Sequence, residues 1–422
     1  MQKDLILLAK EEALKKVKKL LKPNNAVVLI KANIPGENKN SKEAYMLIRL
    51  FEKECLKILN VSYRELVESP AGPYILLVTL HNEEIKKKLI EIENIHTLGR
   101  MIDLDYFLEE GKSISRTDLG LPLRKCYLCE KEAAVCIREH AHNEKRIFTF
   151  IQTQVYAYVQ DILEKIIFAS IKKELDLEDK FGLVTPKSCG SHIDMNYQLM
   201  IRSAKALLFS FTQMFWIGYD SPNLDQAYQY GKKQGLSAEK VMYEVTDDVN
   251  TYKGLIFLLG LILLSSGYAL SHQQSINDIF SNVAYMTKNI FNEPMYNTFG
   301  EKAYREYKIG GARAEAYMGC PTVLNTYQYL SSVEEINDEV LHMALIKIIS
   351  TTDDTVMLKR AGSLEEYKRI KNKISSIKEY DLSLIKEITE ELIKDNISCG
   401  GAADILVTSL YLVMFEEKFL TE

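Results

Sequence analysis

A short polar segment between two apolar, helix-forming stretches carries residue types that suit phosphate binding. It runs from Gly182 to Met195 and includes Pro186, Lys187, Gly190 and Ser191. Proline and glycine stop a helix, glycine and serine leave backbone N–H groups accessible to an anion, and the lysine adds a cation. The segment therefore predicts a loop that binds a polar, anionic ligand.

His192 and Asp194 add a base and a carboxylate to the same loop. The alternative interpretation is an ordinary turn capped by serine and aspartate, since single short motifs also match by chance. Four further segments of the same kind favour the binding interpretation. They are Asn250–Gly254, with Asn250, Lys253 and Gly254; Gly310–Glu315, with Arg313 and Glu315; Thr351–Thr355, with Asp353 and Asp354; and Ser398–Asp404, with Gly400, Gly401 and Asp404.

A pair of carboxylates stands in the first third of the chain. Residues 99–105 alternate so that Asp103 and Asp105 project to one face if the segment is a strand. Two carboxylates on one face can hold magnesium, a hard ion that bridges carboxylates to substrate phosphates. The alternative is a pair of solvated acids on an edge strand.

A cysteine cluster follows, with the spacing Cys126-x2-Cys129-x6-Cys136 and then His140 and His142. Three thiolates and one imidazole can form a tetrahedral zinc site, with His142 as the fourth ligand. The alternative is a set of buried thiols that act as small hydrophobic side chains. A redox pair is not favoured, because no thioredoxin-like pattern surrounds the cysteines.

Helices and strands must position these residues. The pattern of apolar residues that predicts them changes near Ile147. Before it, apolar runs at 26–30 and 74–80 alternate with helical patterns at 3–21, 42–59 and 83–93, which predicts an α/β domain over residues 1–147. After it nearly every pattern is helical, which predicts an all-α domain over residues 148–422. The predicted helices are 152–175, 197–216, 333–350, 363–377 and 381–394.

Composition limits the class of protein. A chain of 422 residues exceeds what one core usually supports, so two domains are expected. A net charge of −5 argues against nucleic-acid binding, and seven cysteines without a secretory signal fit a reducing cytoplasm. The apolar run at 254–270 is shorter than the roughly 20 residues of a membrane span, so we expect a buried core helix and no membrane partner.

In their order, the five polar segments of residues 150–422 resemble the triphosphoribosyl-dephospho-CoA synthase family. The sequence departs from the family pattern at four positions, where asparagine, histidine, phenylalanine and proline are expected: Cys189, Tyr252, Cys320 and Cys399. The resemblance implies that ATP donates its triphosphoribosyl group to the 2′-hydroxyl of 3′-dephospho-CoA and releases adenine.

That reaction develops positive charge at the anomeric carbon, so it needs a stabilising carboxylate, a base and an acid. We expect Asp194 to be the base, and the other acids open to these roles are Glu315, Asp353, Asp354 and Asp404. Magnesium near Asp353 and Asp354 would assist phosphate binding. The expected binding groups for triphosphate and nucleotide are Lys187, Ser191, His192, Asn250, Lys253, Gly254, Arg313, Arg360, Gly400, Gly401 and Asp404.

Residues 1–147 resemble the apo-citrate lyase phosphoribosyl-dephospho-CoA transferase family, through Asn33–Gly36, Gly99–Asp105, Ser115-Arg116 and the Cys126-x2-Cys129 pair. The resemblance implies that a serine of the citrate lyase acyl-carrier subunit attacks the α-phosphate of the triphosphate and expels pyrophosphate. Magnesium on Asp103 and Asp105, with Arg100 and Arg116 as cationic donors, would neutralise the leaving group. Lys39 can add a further phosphate contact.

The two parts of this chain thus resemble two enzymes that act one after the other in a pathway. Two functions from other classes remain open. The helical half could be an ADP-ribosyl-type glycohydrolase, which would release adenine or ribose without dephospho-CoA. Alternatively, the chain could be a zinc-bearing interaction module in which the polar loops only cap helices.

Overall fold

The computed structural model describes residues 2–36, 39–292 and 299–420, and the chain divides into two compact units. The division falls between Asp161 and Ile162, inside the helix Glu144–Asp176. We call residues up to 161 the N-terminal unit and those from 162 the C-terminal unit. The first contains a sheet with helices and the second is mostly helical, as the change of pattern predicted. The domain boundary expected after Ile147 stays a prediction.

The N-terminal unit is built on a sheet of five antiparallel strands. They are β1 (Asn25–Ala32), β2 (Val61–Val67), β3 (Tyr74–Leu80), β4 (Ile102–Phe107) and β5 (Ser113–Ile114). Their spatial order is β2-β3-β1-β4-β5, so β1 is central. β1 and β3 are buried along most of their length, which explains why both read as continuous apolar runs rather than alternating ones.

Helices cover both faces of this sheet. Those of the N-terminal unit are α1 (Gln2–Leu20), α2 (Lys42–Leu56), α3 (Glu83–Ile95) and the short α4 (Ala133–Arg138). Ala13 and Val17 of α1 share a buried cluster with Leu29 and Leu76, so α1 packs on the face to which Leu29 points. α2 packs against β1 and α3 against β4.

Helices form the regular structure of the C-terminal unit. They are α5 (Glu144–Asp176), which it shares with the first unit, α6 (Tyr197–Asp220), α7 (Leu224–Thr246), α8 (Lys253–Ser271), α9 (Ile276–Thr287), α10 (Phe299–Tyr307), α11 (Gly311–Tyr317), α12 (Pro321–Ser331), α13 (Asp338–Thr351), α14 (Thr355–Ala361), α15 (Leu364–Ser375), α16 (Leu382–Lys394) and α17 (Gly400–Phe419). α8 packs against α6, α7, α9 and α17, and α17 also packs against α12 and α13. These two apolar helices form the centre of the unit.

Within the part of the chain that the structure describes, α8 is the one helix long and apolar enough to cross a membrane. Of its most apolar 18-residue stretch, 78% is buried inside the protein. Glycines let α6 approach it closely. A Cβ atom on Gly218 would lie 1.9 Å from the Leu264 carbonyl oxygen, and one on Gly267 would lie 2.0 Å from the Phe215 carbonyl oxygen. The close packing of α6 on α8 and the burial of α8 show that α8 is a core helix.

Candidate active sites

The two carboxylates of β4 lie on one face of the sheet, as the alternating pattern predicted. In the strand register Asp103 stands opposite Lys31 of β1, and Asp105 stands opposite Leu29. The face on which α1 packs is the same one, and it leaves a cavity of about 350 Å³ over the polar end of the strands. We call it the carboxylate cavity. Its polar lining residues are Lys10, Lys31, Asn33, Lys39, Ser69, Tyr74, Asp103 and Asp105.

The cavity brings acids and bases together. Desolvation by surrounding protein atoms raises the pKa of both Asp103 and Asp105, although Asp105 is exposed and the Asp103 side chain keeps 41% of its surface accessible. Burial lowers the pKa of Lys31, and the nearby charges of Lys10 and Lys39 lower it further. A bound divalent cation would stabilise the charged form of the two carboxylates. A bound polyphosphate would stabilise the charged form of the lysines.

The described residues fit magnesium at this position. Asp105 makes no ion pair with a described residue, and Asp103 uses one oxygen, Oδ1, to accept a hydrogen bond of 2.7 Å from Arg124 Nη1. Carboxylate oxygens open to a cavity are the ligands that Mg²⁺ prefers. The observation supports magnesium on Asp103 and Asp105 as a proposal.

The cationic groups around this cavity differ from the expected ones. Arg116 is held by Glu93, at 3.1 Å, and by Asn94, and Arg100 donates a 2.7 Å hydrogen bond to the Lys125 carbonyl oxygen. The lysines and Arg124 take the places near the carboxylates instead. Lys39 was expected from the sequence, whereas Lys10, Lys31 and Arg124 were not. Lys31 gave no signal because it stands within an apolar strand.

The predicted cysteine cluster forms in the structure. Ligand atoms of Cys126, Cys129, Cys136 and His142 all lie within 4.8 Å of one another. Cys129 Sγ lies 3.4 Å from Cys136 Sγ and 3.3 Å from His142 Nε2. His140 is not part of the group. The four side chains make a cluster that could bind a metal ion.

In the C-terminal unit, the structure joins the loop at 182–195 to the segment before α17. Ser191 Oγ donates a 2.5 Å hydrogen bond to the Ile397 carbonyl oxygen, and His192 Nε2 lies 3.0 Å from Ser398 Oγ. Gly182 is required here, because its φ is +77° and a Cβ atom would lie 2.1 Å from the Ile397 oxygen. Two of the predicted motifs therefore touch.

Arg360 fixes this junction rather than presenting its charge to solvent. Its Nη1 donates to the carbonyl oxygens of Ser191 and Asn396, at 2.8 and 3.0 Å, and its Nη2 donates to His192 Nδ1 at 2.9 Å. Burial, and then the charge of Arg360, lower the pKa of His192 to about 4. The imidazole is therefore neutral, with its proton on Nε2 and directed to Ser398.

The Asp354 carboxylate joins two helix N-termini. Its Oδ1 accepts hydrogen bonds from the amides of Val356 and Met357 at 2.8 and 2.9 Å, and its Oδ2 accepts one from Gly401 at 2.9 Å. Asp353 faces Lys371 at 3.9 Å. The two neighbouring acids thus have different partners, and magnesium near Asp353 and Asp354 stays a prediction. In the structure Asp354 ties α14 to α17.

Glu315 is a second acid with a capping role. Its Oε1 accepts hydrogen bonds from the amides of Thr322 and Val323, at 2.6 and 3.2 Å, so it holds the N-terminus of α12. Arg313 pairs with Glu301 at 3.0 Å. Both residues thus stabilise the helices around the Gly310–Glu315 motif.

Asp404 has a different environment. Its carboxylate lies against the start of α8, since a Cβ atom on Gly254 would sit 2.0 Å from Asp404 Oδ2. Among the described residues, none donates a hydrogen bond to this carboxylate. Burial raises the pKa of Asp404 well above the usual range, and the charges of Asp354 and Glu174 add to the rise. A carboxyl with a raised pKa and no fixed partner is suited to proton transfer.

Tyr252 adds a second polar group without a partner. Its hydroxyl is buried and has no hydrogen-bond partner in the described part of the chain. Burial raises the pKa of Tyr252, and the charges of Glu174 and Asp404 raise it further. Glu174 is itself paired with the buried Lys180, Nζ to Oε1 at 2.7 Å. The sequence analysis missed Glu174 and Lys180.

The remaining predicted residues lie nearer the surface. Lys187 is 83% exposed and lies 3.8 Å from Glu178, and Asp194 is exposed. Lys253 pairs with Glu239 at 2.7 Å, and Asn250 Oδ1 accepts a 3.2 Å hydrogen bond from the amide of Lys253. Gly400 is the N-terminal residue of α17.

The four cysteine and tyrosine departures have distinct settings. Cys399 is buried with its Sγ 3.6 Å from Met357 Sδ, Cys189 is exposed, and Cys320 is buried at a φ of +58° before Pro321. Of the four, Tyr252 is the one whose buried hydroxyl has no hydrogen-bond partner among the described residues.

Comparisons with known proteins match both units. Residues 2–158 match the family described as apo-citrate lyase phosphoribosyl-dephospho-CoA transferase, and residues 161–421 match the family described as ATP:dephospho-CoA triphosphoribosyl transferase. Along the chain, the boundary between the two matches lies inside α5, and so does the boundary between the two compact units.

Three relatives agree with these matches. A protein named Protein CitXG from Leuconostoc mesenteroides subsp. cremoris is 29% identical over 427 residues, covering 92% of this chain and 91% of the relative. A Protein CitXG from Haemophilus influenzae is 30% identical, covering 78% and 77%. A 2-(5''-triphosphoribosyl)-3'-dephosphocoenzyme-A synthase from Haemophilus ducreyi is 29% identical, covering 68% of this chain and 98% of its own.

Proposed function

Because the chain belongs to the ATP:dephospho-CoA triphosphoribosyl transferase family and also carries the apo-citrate lyase phosphoribosyl-dephospho-CoA transferase region, we propose that it performs two consecutive transfers. The C-terminal unit makes 2'-(5''-triphosphoribosyl)-3'-dephospho-CoA. The N-terminal unit attaches that product to the acyl-carrier subunit of citrate lyase. The proposed partners are ATP, 3'-dephospho-CoA and this carrier, and the proposed location is the cytoplasm.

In the first transfer, the 2′-hydroxyl oxygen of dephospho-CoA forms a bond to the anomeric carbon of the ATP ribose. The bond from that carbon to adenine breaks, adenine takes up a proton, and the hydroxyl loses one. The single observation that supports this site is the Asp404 carboxyl, which lies against Gly254 and accepts no hydrogen bond from a described residue. Its raised pKa suits a group that gives a proton to the departing adenine and recovers one from the hydroxyl.

Asp194 was the expected base, and it remains an alternative to Asp404 for receiving the hydroxyl proton. Its side chain is exposed, so no neighbouring element fixes it in place as Gly254 fixes Asp404. Asp354 and Glu315 are less suited, because backbone amides already use their oxygens. We therefore assign them to helix positioning.

In the second transfer, the carrier serine hydroxyl loses its proton to solvent and its oxygen forms a bond to the α-phosphorus. The bond from that phosphorus to the oxygen of the β-phosphate breaks, which releases pyrophosphate. Asp103 and Asp105 would hold magnesium, which neutralises charge on the departing pyrophosphate when it is bound. Lys10, Lys31 and Lys39 line the same cavity and can bind the phosphates. Arg124 orients Asp103.

One experiment tests both transfers. The purified chain is incubated with ATP, magnesium and 3'-dephospho-CoA, with and without the apo acyl-carrier subunit, and free adenine and the carrier mass are measured. We expect adenine only when dephospho-CoA is present, and a carrier mass increase that requires both substrates. Adenine or ribose release without dephospho-CoA would identify a glycohydrolase instead. No adenine release in any mixture would favour an interaction module. Neither proposed transfer uses the cysteine cluster.

A further inference from the structure

The cysteine cluster stands in a part of the chain that lacks a hydrophobic core. Between residues 111 and 150, all of which the structure describes, Cys126 and Cys136 are the only buried residues. The regular structure of the segment up to α5 is limited to the two-residue β5, a single helical turn and the six-residue α4. Segments that bury so little apolar surface need a crosslink or a metal to hold one conformation.

We propose that Cys126, Cys129, Cys136 and His142 bind one zinc ion, and that this ion fixes the neighbouring segment against the carboxylate cavity. Three thiolates and one imidazole are a complete ligand set for a closed structural zinc site. The set comes from side chains that the structure already brings together, with all four ligand atoms within 4.8 Å of one another.

The distances agree with a tetrahedral ion. Zinc bonds of about 2.3 Å to sulfur and about 2.0 Å to nitrogen place neighbouring ligand atoms roughly 3.5 to 3.8 Å apart. The separations of Cys129 Sγ from Cys136 Sγ and from His142 Nε2 are 3.4 and 3.3 Å. Small movements of these side chains would complete the site.

The backbone supports the same interpretation. The amide of Leu128 donates to Cys126 Sγ at 3.5 Å, and the amide of Cys126 donates to the Lys131 carbonyl oxygen at 2.8 Å. The resulting tight turn presents Cys126 and Cys129 together, and α4 then brings Cys136 back to them. Hydrogen bonds from amides to sulfur stabilise thiolates.

The residues beside Cys126 reach the carboxylate cavity. Arg124 donates to Asp103 Oδ1 and to the Ile102 carbonyl oxygen, both at 2.7 Å, and Tyr127 Oη donates to the Asn33 carbonyl oxygen at 3.1 Å. Asn33 and Asp103 both line the cavity. The zinc ion is therefore a positioning device for Arg124 and Tyr127, and this part of the inference rests on the proposed second transfer.

The test uses two neighbouring histidines as a matched pair. The full chain is purified with zinc in the medium, and the metal content and zinc affinity are measured for the wild type, His142→Asn and His140→Asn. Asparagine suits position 140, where φ is +46°. We expect about one zinc per chain in the wild type and His140→Asn, and at least about tenfold weaker binding in His142→Asn. Cobalt in place of zinc should give thiolate absorption bands in the first two proteins.

Zinc-free wild-type protein with three titratable thiols in the cluster would overturn the site, as would equal zinc affinity in the two variants. A disulfide between Cys129 and Cys136 in protein purified under reducing conditions would overturn it as well. These readouts do not depend on activity, so they stand even if the proposed transfers fail.

The positioning role has its own readout. We expect zinc removal to open the segment 111–146 to limited proteolysis and to lower carrier loading while adenine release stays constant. Unchanged cleavage and loading in protein shown to be zinc-free would overturn this role.

Discussion

The Asp404 carboxylate occupies the space that a side chain at position 254 would need, because a Cβ atom on Gly254 would lie 2.0 Å from Asp404 Oδ2. The contact joins the second and fifth polar motifs, which are far apart in the sequence. It also explains why a glycine follows the first residue of α8. The acid is placed by a close backbone contact rather than by hydrogen bonds.

The first prediction follows from this contact. Gly254→Ala should displace the carboxylate and lower adenine release by roughly 10²-fold, since displacements near 1 Å cost about that much in positioned catalysis. Gly235→Ala is the control, because a Cβ atom there would meet only Met214 Cε at 3.9 Å. Adenine release at the control rate in Gly254→Ala would contradict the role of the contact.

The second prediction compares two acids. Asp404→Asn should lower adenine release by about 10²–10⁴-fold, the usual contribution of acid–base catalysis, and Asp194→Asn should have a smaller effect. Initial rates with labelled ATP measure the difference. Should Asp194→Asn be inactive while Asp404→Asn turns over normally, the assignment must move to the exposed loop.

The same substitution has a predicted effect on stability. The pKa of Asp404 is raised in the folded protein, so folding favours its protonated form and loses stability as pH rises through that raised pKa. We expect Asp404→Asn to melt at a higher temperature than the wild type at pH 8, with the gap narrowing towards pH 5. A gap that widens on acidification would contradict this sign.

The third prediction concerns the buried hydroxyl of Tyr252. Tyr252→Phe should leave the free energy of unfolding unchanged or raise it, since an unpaired buried hydroxyl costs about 1–3 kcal/mol, yet it should lower adenine release. Tyr252→His, which restores the residue expected from the family pattern, should recover part of the rate. Full activity in Tyr252→Phe would show that the hydroxyl only fills space.

The fourth prediction separates the two transfers. Asp105→Asn should remove carrier loading by at least about 10²-fold and leave adenine release unchanged, because a charged ligand facing the cavity is lost. Glu91→Gln, an exposed acid of α3, is the matched control. Carrier mass is the readout, and equal loading by both variants would exclude the metal role.

The fifth prediction tests the division of the chain. Residues 162–422 should release adenine without loading the carrier. A version that starts at 148 should do the same but aggregate more readily, because it retains Ile151, Val155 and Val159, which belong to the N-terminal unit and are buried in the whole chain. Size-exclusion chromatography and adenine assays distinguish the two. A folded 162–422 that forms no product would argue against this division.

The sequence predicted the strands β1 and β3, the helix α8 and the cysteine cluster because each depends on local periodicity or spacing. It also predicted five motifs in one half of the chain. It could not distinguish Asp404 from Asp354, since the acid proposed for proton transfer and the helix cap are the same residue type in similar surroundings. Only the amide hydrogen bonds to Asp354 separate them.

Arg124 and Lys31 illustrate a second limit. Their functional positions depend on register across β1 and β4 and on the turn at Cys126, which are contacts between distant segments. Arg116 has the same residue type as Arg124 and a more suggestive motif. Glu93 pairs with both arginines, but Arg116 is held further by Asn94, whereas Arg124 reaches Asp103.

The continuous helix α5 also has a consequence for the relative amounts of the two units in a cell. It joins the two units without an intervening loop, and peptide bonds inside a helix are poor substrates for proteases. A cell that makes this chain therefore holds the two transferase units in equal numbers at all times. Their balance is set by two turnover rates alone, and changes in gene expression scale both steps together.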